Sequence, residues 1–331
     1  MIIYFITSAF SLARADEPKL IIVDNDFTGP PDTLDDLRSA LMFLDNPNVK
    51  VLGFTVVTGN GWRNEEVAHL LRLEEIAWRY DVPVIPGAVT PLLNTLQTTR
   101  EWEGHYSHRY MGAWDTKEQR PWEANYSPHE RDFVPQIPEG LPKLQPARES
   151  AVEFLIKQVH AYFHQISIFA GGPLTDIALA VRADSEFVGL VKELLFFGGA
   201  RTLSQPDLNF RFDPEAAQIV MGANWQNIIL VCDVTYGKNI KLEHSDLARI
   251  GAGSTPIGDY VFNFSYDDVG TNNLWDEICA AILIDRSLIT ESRDAYLDVV
   301  VDPQKVDYGA VKVSFQNALI DGQSSADSNS I

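Results

Sequence analysis

Short apolar segments alternate with amphipathic segments along most of the chain. The segments "KLIIV" and "VKVLGFTVVTG" are rich in β-branched residues and are typical of buried strands. The segments "TLDDLRSALMFLDN" and "RNEEVAHLLRLEEIAWRY" have the periodicity of helices, and the alternation resumes from "ESAVEFLIKQVHAYF" to "IILVCDVT". This pattern predicts an α/β fold with an open, mostly parallel central sheet and helices on both faces.

Residues 94 to 147 interrupt this alternation. Pro, Trp, His, Tyr and charged residues are mixed there without a strand or helix period, which predicts a long loop or a small insertion. We expect one catalytic domain over residues 16–320, followed by a disordered polar tail over residues 321–331.

The first fifteen residues, "MIIYFITSAFSLARA", contain an apolar run that is too short to span a bilayer. The run ends in Ala13-Arg14-Ala15, an A-x-A pattern that precedes the polar "DEPK". We therefore expect a signal peptide over residues 1–15 and a periplasmic or secreted protein without membrane attachment after cleavage. If the leader is not a signal, a cytoplasmic location follows.

The formal net charge of the chain is -20 at pH 7. Because nucleic acids and anionic membranes would be repelled by this charge, and no Lys/Arg run supplies a local basic patch, we expect neither as a partner. A small-molecule substrate is expected instead, and a homo-oligomer is left open.

Five aspartates lie in and just after the first predicted strand: Asp24, Asp26, Asp32, Asp35 and Asp36. Ligands of open parallel sheets bind beyond the carboxyl ends of the strands, where these residues lie. Converging carboxylates repel one another unless a cation neutralises them, which predicts a hard metal ion with oxygen ligands. The alternative is that the aspartates are solvated or cap the next helix, with Asp32 or Asp35 as its N-cap.

One known motif matches the start of this stretch. The run from Asp24 to Thr28 resembles the D-x-D-x-T motif of haloacid-dehalogenase-like phosphotransferases, in which the first Asp attacks phosphorus. That family also needs a Ser or Thr at a second strand end, a later Lys and a late acidic pair, and no later segment matches this series. A phosphatase of this type is therefore the alternative hypothesis.

A second resemblance extends over roughly residues 20 to 315. The D-x-D...D-D pattern, the Gly59-Asn60 pair, "FAGGPLTDIALA", "LNFRFDPEAAQIV" and "LWDEICAAILID" resemble segments of the nucleoside hydrolases, and they occur in the order of that family. The resemblance implies the nucleoside hydrolase fold and hydrolysis of the N-glycosidic bond of ribonucleosides. A relative that binds a nucleoside or ribosyl ligand without catalysis is a further alternative.

The resemblance also implies a cofactor and its ligands. Members of the family hold a calcium ion, and by motif position its ligands here would be the carboxylates of Asp26, Asp36 and Asp276 and the backbone carbonyl of Gly171. Asp26 would also act as the general base that takes a proton from the attacking water.

The positions that contact the ribose in the family correspond to Asp35, Asn60 and Asn209. Asp207 occupies the position that usually holds a Glu gripping the 5′-hydroxyl. Its side chain is one methylene shorter, so this contact is the weakest part of the resemblance.

Trp275 stands where many members of the family have a His before the late Asp. Together with Trp102, it resembles the purine-specific branch, in which two tryptophans stack on the base and help it to leave. His105 and His108, which lie in the interrupted segment, are alternative acids for the leaving base.

The spacing of the acidic motif departs from the family. Eight residues, "FTGPPDTL", separate Asp26 from the Asp35-Asp36 pair, where the family usually has three. Counting back from Asn60 without a gap assigns Asp36 to the second acidic position, so the additional residues form a bulge before the pair. The alternative is that Asp32 replaces one member of the pair.

Overall fold

The computed structural model describes residues 17–31, 34–107, 109, 112–116, 128–198, 206–231, 240–265, 269 and 274–315. The predicted signal peptide, the tail, Asp32 and His108 lie outside these residues, so the hypotheses about them stay predictions. Within the described residues, every helix is too short or too polar to cross a membrane.

A six-stranded parallel sheet forms the centre of the molecule, with the strand order β3-β2-β1-β4-β5-β6. Its strands are β1 (Lys19–Asn25), β2 (Val49–Val56), β3 (Val84–Pro86), β4 (Ile166–Ala170), β5 (Glu193–Phe197) and β6 (Ile228–Val231). The winding direction of the chain reverses between β1 and β4, which makes this pair the switch point of the sheet. The parallel sheet predicted from the sequence is confirmed.

Helices cover both faces of this sheet. Those of the described residues are α1 (Asp35–Leu44), α2 (Arg63–Ile76), α3 (Leu96–Tyr106), α4 (Ala151–Ala161), α5 (Thr175–Ala183), α6 (Phe187–Leu190), α7 (Leu208–Phe212), α8 (Pro214–Met221), α9 (His244–Gly251), α10 (Pro256–Phe264) and α11 (Trp275–Ile284). A 3-10 turn (Arg286–Leu288) follows α11, and an antiparallel hairpin of β7 (Ala295–Val299) and β8 (Val311–Phe315) ends the described chain.

Alternation of side chains along the strands creates two hydrophobic cores. Ile21 and Val23 of β1 point to the face that α1, α2 and α11 cover, whereas Ile22 points to the face that α4, α5 and α8 cover. All three side chains are fully buried. Because both faces of the central strands are covered, the strands read as continuous apolar runs in the sequence.

The structure corrects one expectation about the interrupted segment. Its first part forms α3, which begins at a capping box between Thr95 and Thr98. Only Thr99 and Trp102 are buried in this helix, so the sequence lacks the apolar period that indicates a helix. The two helices α9 and α10 were not predicted either.

The core around β4 offers a test of the fold. Phe169 is fully buried and packs against Phe43 of α1, with ring centroids 5.5 Å apart. We expect Phe169→Ala to lower the free energy of unfolding by about 3–5 kcal/mol, because the change leaves a cavity in the core. The measurement is urea unfolding followed by circular dichroism.

The matched control is Phe163→Ala, since Phe163 is 59% exposed just before the same strand. This change is expected to alter the free energy of unfolding by no more than about 0.5 kcal/mol. Equal losses in both variants would contradict the core assignment.

Candidate active site

The candidate site lies at the switch point of the sheet. Asp26 directly follows the end of β1, and Gly171 directly follows the end of β4. The two strand ends are joined by a hydrogen bond in which the backbone N–H of Gly171 donates to the carbonyl of Asp24, 3.0 Å away. A crevice beyond this pair of strands is where α/β sheets of this topology bind their ligands.

Three of the predicted metal ligands come together here from different parts of the chain. Asp26 follows β1, Asp36 lies in the first turn of α1, and Asp276 lies in the first turn of α11. All three side chains are buried, with at most 2% exposure. The side-chain amide of Asn25 donates to Asp36 Oδ1 at 3.1 Å and to Asp276 Oδ2 at 2.6 Å, so one residue of β1 links both helices.

Asn60, a predicted ribose contact, lies in the loop after β2 and donates hydrogen bonds to two of these carboxylates. Its backbone N–H donates to Asp26 Oδ2 at 2.8 Å, and its side-chain amide donates to Asp36 Oδ2 at 3.2 Å. The preceding residue has to be glycine, because a Cβ at Gly59 would lie 2.1 Å from Asp26 Oδ2.

The fourth predicted metal ligand, the carbonyl of Gly171, is oriented by Asn209. The side-chain amide of Asn209 donates to this carbonyl, and the backbone N–H of Asn209 donates to Asp207 Oδ1 at 2.9 Å. Asp207 is thereby the N-cap of α7. Seven predicted residues thus take part in hydrogen bonds at the site: Asp26, Asp36, Asn60, Gly171, Asp207, Asn209 and Asp276.

Burial and mutual repulsion dominate the electrostatics of the site. Burial, together with the charge of Asp35, raises the pKa of Asp276 to about 7. Burial and the neighbouring carboxylates likewise hold the pKa values of Asp26 and Asp36 well above their usual range. Without a cation, the cluster therefore retains protons at neutral pH.

The donor set fits a hard cation. Among the described residues, Asp26 Oδ1 is buried without a hydrogen-bond partner, and no Lys or Arg pairs with Asp26, Asp36 or Asp276. The candidate ligands are all oxygen atoms, which is the chemistry that calcium and magnesium prefer. Asp26, Asp36, Asp276 and the Gly171 carbonyl are the groups that would hold such an ion.

A different group of potential ligands lies on the surface. Atoms of His160, Asp184 and Glu186 lie within 4.8 Å of one another. His160 Nε2 pairs with Asp184 Oδ2 at 2.7 Å, and the backbone N–H of Glu186 donates to Asp184 Oδ1. These contacts account for the group without an ion, and it lies at the carboxyl ends of α4 and α5 rather than at the switch point.

The structure corrects the capping hypothesis for Asp35. The N-cap of α1 is Leu34, which makes no side-chain cap, and Asp35 is the first residue of the helix. Asp35 is buried beside the cluster, where its charge raises the pKa values of Asp36 and Asp276. Asp24 is fully buried and accepts a hydrogen bond from Thr55 at 2.5 Å, so it supports the strand end and is not available as a phosphatase nucleophile.

The two predicted base-stacking residues lie in different environments. Trp275 is the first residue of α11, adjacent to Asp276, and is half-buried. Trp102 is buried on α3, where its indole N–H donates to the carbonyl of Lys305 at 2.9 Å and the Arg211 guanidinium lies 4.3 Å from its ring centroid. His105 of the same helix is exposed.

The sequence interpretation missed Asn25. This residue lies between Asp24 and Asp26 at the end of β1 and is fully buried. Its position in the D-x-D motif was a usable signal, since a residue between two site aspartates at a strand end shares their surroundings.

The comparisons with known proteins agree with this geometry. A family model described as inosine-uridine preferring nucleoside hydrolase matches residues 21–329. The chain belongs to this family. The resemblance seen in the sequence is thereby confirmed, and the haloacid-dehalogenase-like alternative is set aside.

Relatives in plants are similar over part of their length. Uridine nucleosidase 1 of Arabidopsis thaliana is 29% identical over 223 residues, which cover 66% of this chain and 58% of that protein. Probable uridine nucleosidase 2 of the same organism is 30% identical over 248 residues, which cover 73% of this chain and 67% of that protein.

Solved structures show the same fold. A plant nucleoside hydrolase aligns with a TM-score of 0.71 at 22% identity, covering 93% of this chain and 91% of its own. A purine-preferring ribonucleoside hydrolase from Gardnerella vaginalis aligns with a TM-score of 0.67 at 19% identity, covering 92% of this chain and 90% of its own.

The raised pKa of Asp276 predicts how the stability of the cation-free protein depends on pH. Between the usual value of 3.8 and about 7, folded protein keeps a proton at Asp276 that the unfolded chain has released. The free energy of unfolding should therefore fall as the pH rises through this window. Urea unfolding in excess chelator at about pH 5 and about pH 7 measures the change.

The matched variant is Asp276→Asn, which keeps the shape of the side chain and removes its titration. We expect a shallower fall in stability with pH in this variant. A slope as steep as that of the wild type would mean that Asp276 does not titrate in this range.

Proposed function

We propose that this protein hydrolyses the N-glycosidic bond of ribonucleosides with a bound calcium ion, and that it releases ribose and the free base. The observation that carries the proposal is the convergence of Asp26, Asp36 and Asp276 beside Gly171. A member of the nucleoside hydrolase family with such an oxygen-rich cluster at its switch point has both the fold and the ligands for this chemistry.

Calcium is favoured over softer metals because every candidate ligand is an oxygen atom. It takes about 6–8 oxygen ligands, so four protein groups leave positions for a water and for hydroxyl groups of the ribose. When bound, the ion would lower the pKa of a water that it holds.

Asp26 is suited to act as the general base. Its Oδ2 accepts the backbone N–H of Asn60 at 2.8 Å, which fixes the carboxylate. Its Oδ1 is buried without a hydrogen-bond partner among the described residues, so this atom can accept a proton from water. The carboxylate can serve in this role only in its ionised form, which a neighbouring cation favours.

Four residues around the cluster are proposed to contact the ribose. Asn60 and Asn209 present amides that are fixed by hydrogen bonds to Asp36 and to the Gly171 carbonyl, and Asp35 lies beside them. Asp207 is the proposed 5′-hydroxyl contact, although it already caps α7. Contacts to hydroxyl groups that strengthen as positive charge develops on the ribose would lower the barrier.

A preference for purine nucleosides rests on Trp275. This residue starts α11 next to Asp276, so its indole is close to the proposed metal ligands along the chain. We assign Trp102 a weaker part in base contact, because the guanidinium of Arg211 covers a face of its ring. The names of the relatives include both uridine nucleosidases and a purine-preferring hydrolase, so they do not decide which base this protein prefers. The proposed preference therefore depends on Trp275 and Trp102.

The first test of the proposal is Asp26→Asn. This change keeps the shape of the side chain and removes the base, so we expect kcat/KM for ribose release from nucleosides to fall by about 100-fold or more. Chelation should abolish wild-type activity, and added calcium should restore it. The control is Asp45→Asn at the exposed end of α1, for which we expect wild-type activity.

Unchanged turnover in Asp26→Asn would overturn the assignment of the base. Tight nucleoside binding by the wild type without ribose release, with calcium present, would instead favour a binding protein that lacks catalysis.

A second test separates the role of Trp275 from that of the metal. Trp275→Ala should slow the release of purines by about 10-fold, whereas pyrimidine release should change less, because stacking on a base is worth about 1–3 kcal/mol. Calcium affinity measured by calorimetry should be unchanged. Because Trp275 also packs against the core, Trp275→Phe provides a variant that keeps an aromatic ring.

The exposed Trp78, at 72% exposure, provides the control Trp78→Ala. If purine and pyrimidine release fall equally in Trp275→Ala, the residue does not set the base preference.

A further inference from the structure

A buried ion pair joins the two helices that carry Asp36 and Asp276. Arg38 follows Asp36 by two residues on α1, and Glu277 follows Asp276 directly on α11. Arg38 Nε lies 2.5 Å from Glu277 Oε1, and both side chains are less than 10% exposed. The two residues are 239 positions apart in the sequence, so the contact exists only because the helices pack together.

This ion pair is poorly explained by stability alone. Removing a guanidinium and a carboxylate from water costs several kcal/mol each, and their attraction roughly offsets this cost. Replacement of a buried ion pair by apolar side chains of similar size is often neutral for stability. Stability therefore does not explain the ion pair. A role in the site does, because Arg38 and Glu277 lie next to the candidate metal ligands Asp36 and Asp276.

The contacts of Arg38 restrict how the two helices can move. Besides Glu277, it donates from Nη1 to Ser265 Oγ at 3.0 Å, at the residue that ends α10. The planar guanidinium has fixed donor directions, so contacts with two different helices restrict its position. The first turn of α1 is thus attached to α11 and to the end of α10.

We propose that Arg38 and Glu277 form a positioning pair that sets the separation of Asp36 and Asp276 and thereby the affinity of the site for calcium. This inference rests on the proposed function. Asn25 links the same two carboxylates at the site itself, with hydrogen bonds of 3.1 and 2.6 Å. The ion pair links their helices next to the site, so two independent contacts oppose the repulsion between the carboxylates.

The test is the double variant Arg38→Met/Glu277→Met in the full chain. Both charges are removed, so no buried charge is left without a partner. We expect calcium affinity, measured by isothermal titration calorimetry, to fall about 10- to 100-fold, as is usual when residues that orient metal ligands are replaced. At saturating calcium, kcat should return to within about threefold of the wild type, because the residues that touch the substrate are unchanged.

The matched control is Arg286→Met/Glu193→Met. Arg286 and Glu193 form a partly buried ion pair of 2.6 Å at the amino end of β5, whereas the site lies at the carboxyl ends of the strands. Calcium affinity should stay at the wild-type value in this variant. An equal loss in both double variants would overturn the positioning role, since the effect would then be general.

Two further variants cover a failure of Arg38→Met/Glu277→Met to fold. Glu277→Gln keeps the shape of the side chain and one hydrogen-bond acceptor, and it should weaken calcium binding less than removal of the pair. Arg38→Lys keeps the charge but loses the planar guanidinium, and it should also weaken calcium binding less than removal of the pair. Wild-type affinity in both would overturn the proposal. If the wild type binds calcium and the double variant binds it equally well, the positioning role alone fails, whereas a wild type that binds no calcium overturns the proposed function as well.

Discussion

Repulsion among buried carboxylates is the constraint on which the rest of this structure depends. Asp26, Asp36 and Asp276 are nearly inaccessible to water, and Asp276 raises the pKa values of both Asp26 and Asp36. The chain tolerates them through the neutral amide of Asn25, which donates to two of them, and through the amino ends of α1 and α11, whose dipoles favour negative charge. The Asn25 amide and the helix dipoles lower the free-energy cost of burying the carboxylates. Neither carries a full positive charge, so the cluster still favours a bound cation.

The sheet topology explains why such distant residues meet. Strands β1 and β4 are neighbours, and the chain turns away from them in opposite directions, so their ends border an open crevice. Gly171 makes the close approach possible, because a Cβ at this position would lie 2.4 Å from Asp276 Oδ2 and 2.5 Å from Asn25 Oδ1. A larger residue would separate β4 from α11 and disperse the cluster.

The sequence predicted the sheet well because buried parallel strands and amphipathic helices have distinct periods. It failed for α3, where Trp102 and one Thr are the buried residues and the period is therefore absent. Motif order identified Asp26, Asp36 and Asp276 as neighbours, but their links through Asn25 and through Arg38 and Glu277 depend on packing between distant segments. Local patterns carry no information on such contacts.

The segment between Asp26 and the Asp35-Asp36 pair is anchored in the core near both of its ends. The bulge before the acidic pair begins with Phe27, which is fully buried and packs edge-on against Phe54, and ends with Leu34, which is also fully buried. Between them, Gly29 lies against His69 so closely that a Cβ would be 2.4 Å from its Nδ1. Because both ends of the bulge are fixed in the core, additional residues can be accommodated between them without moving α1. Asp36 is then held in place by the buried side chains of Phe27 and Leu34 and by the hydrogen bond from Asn25.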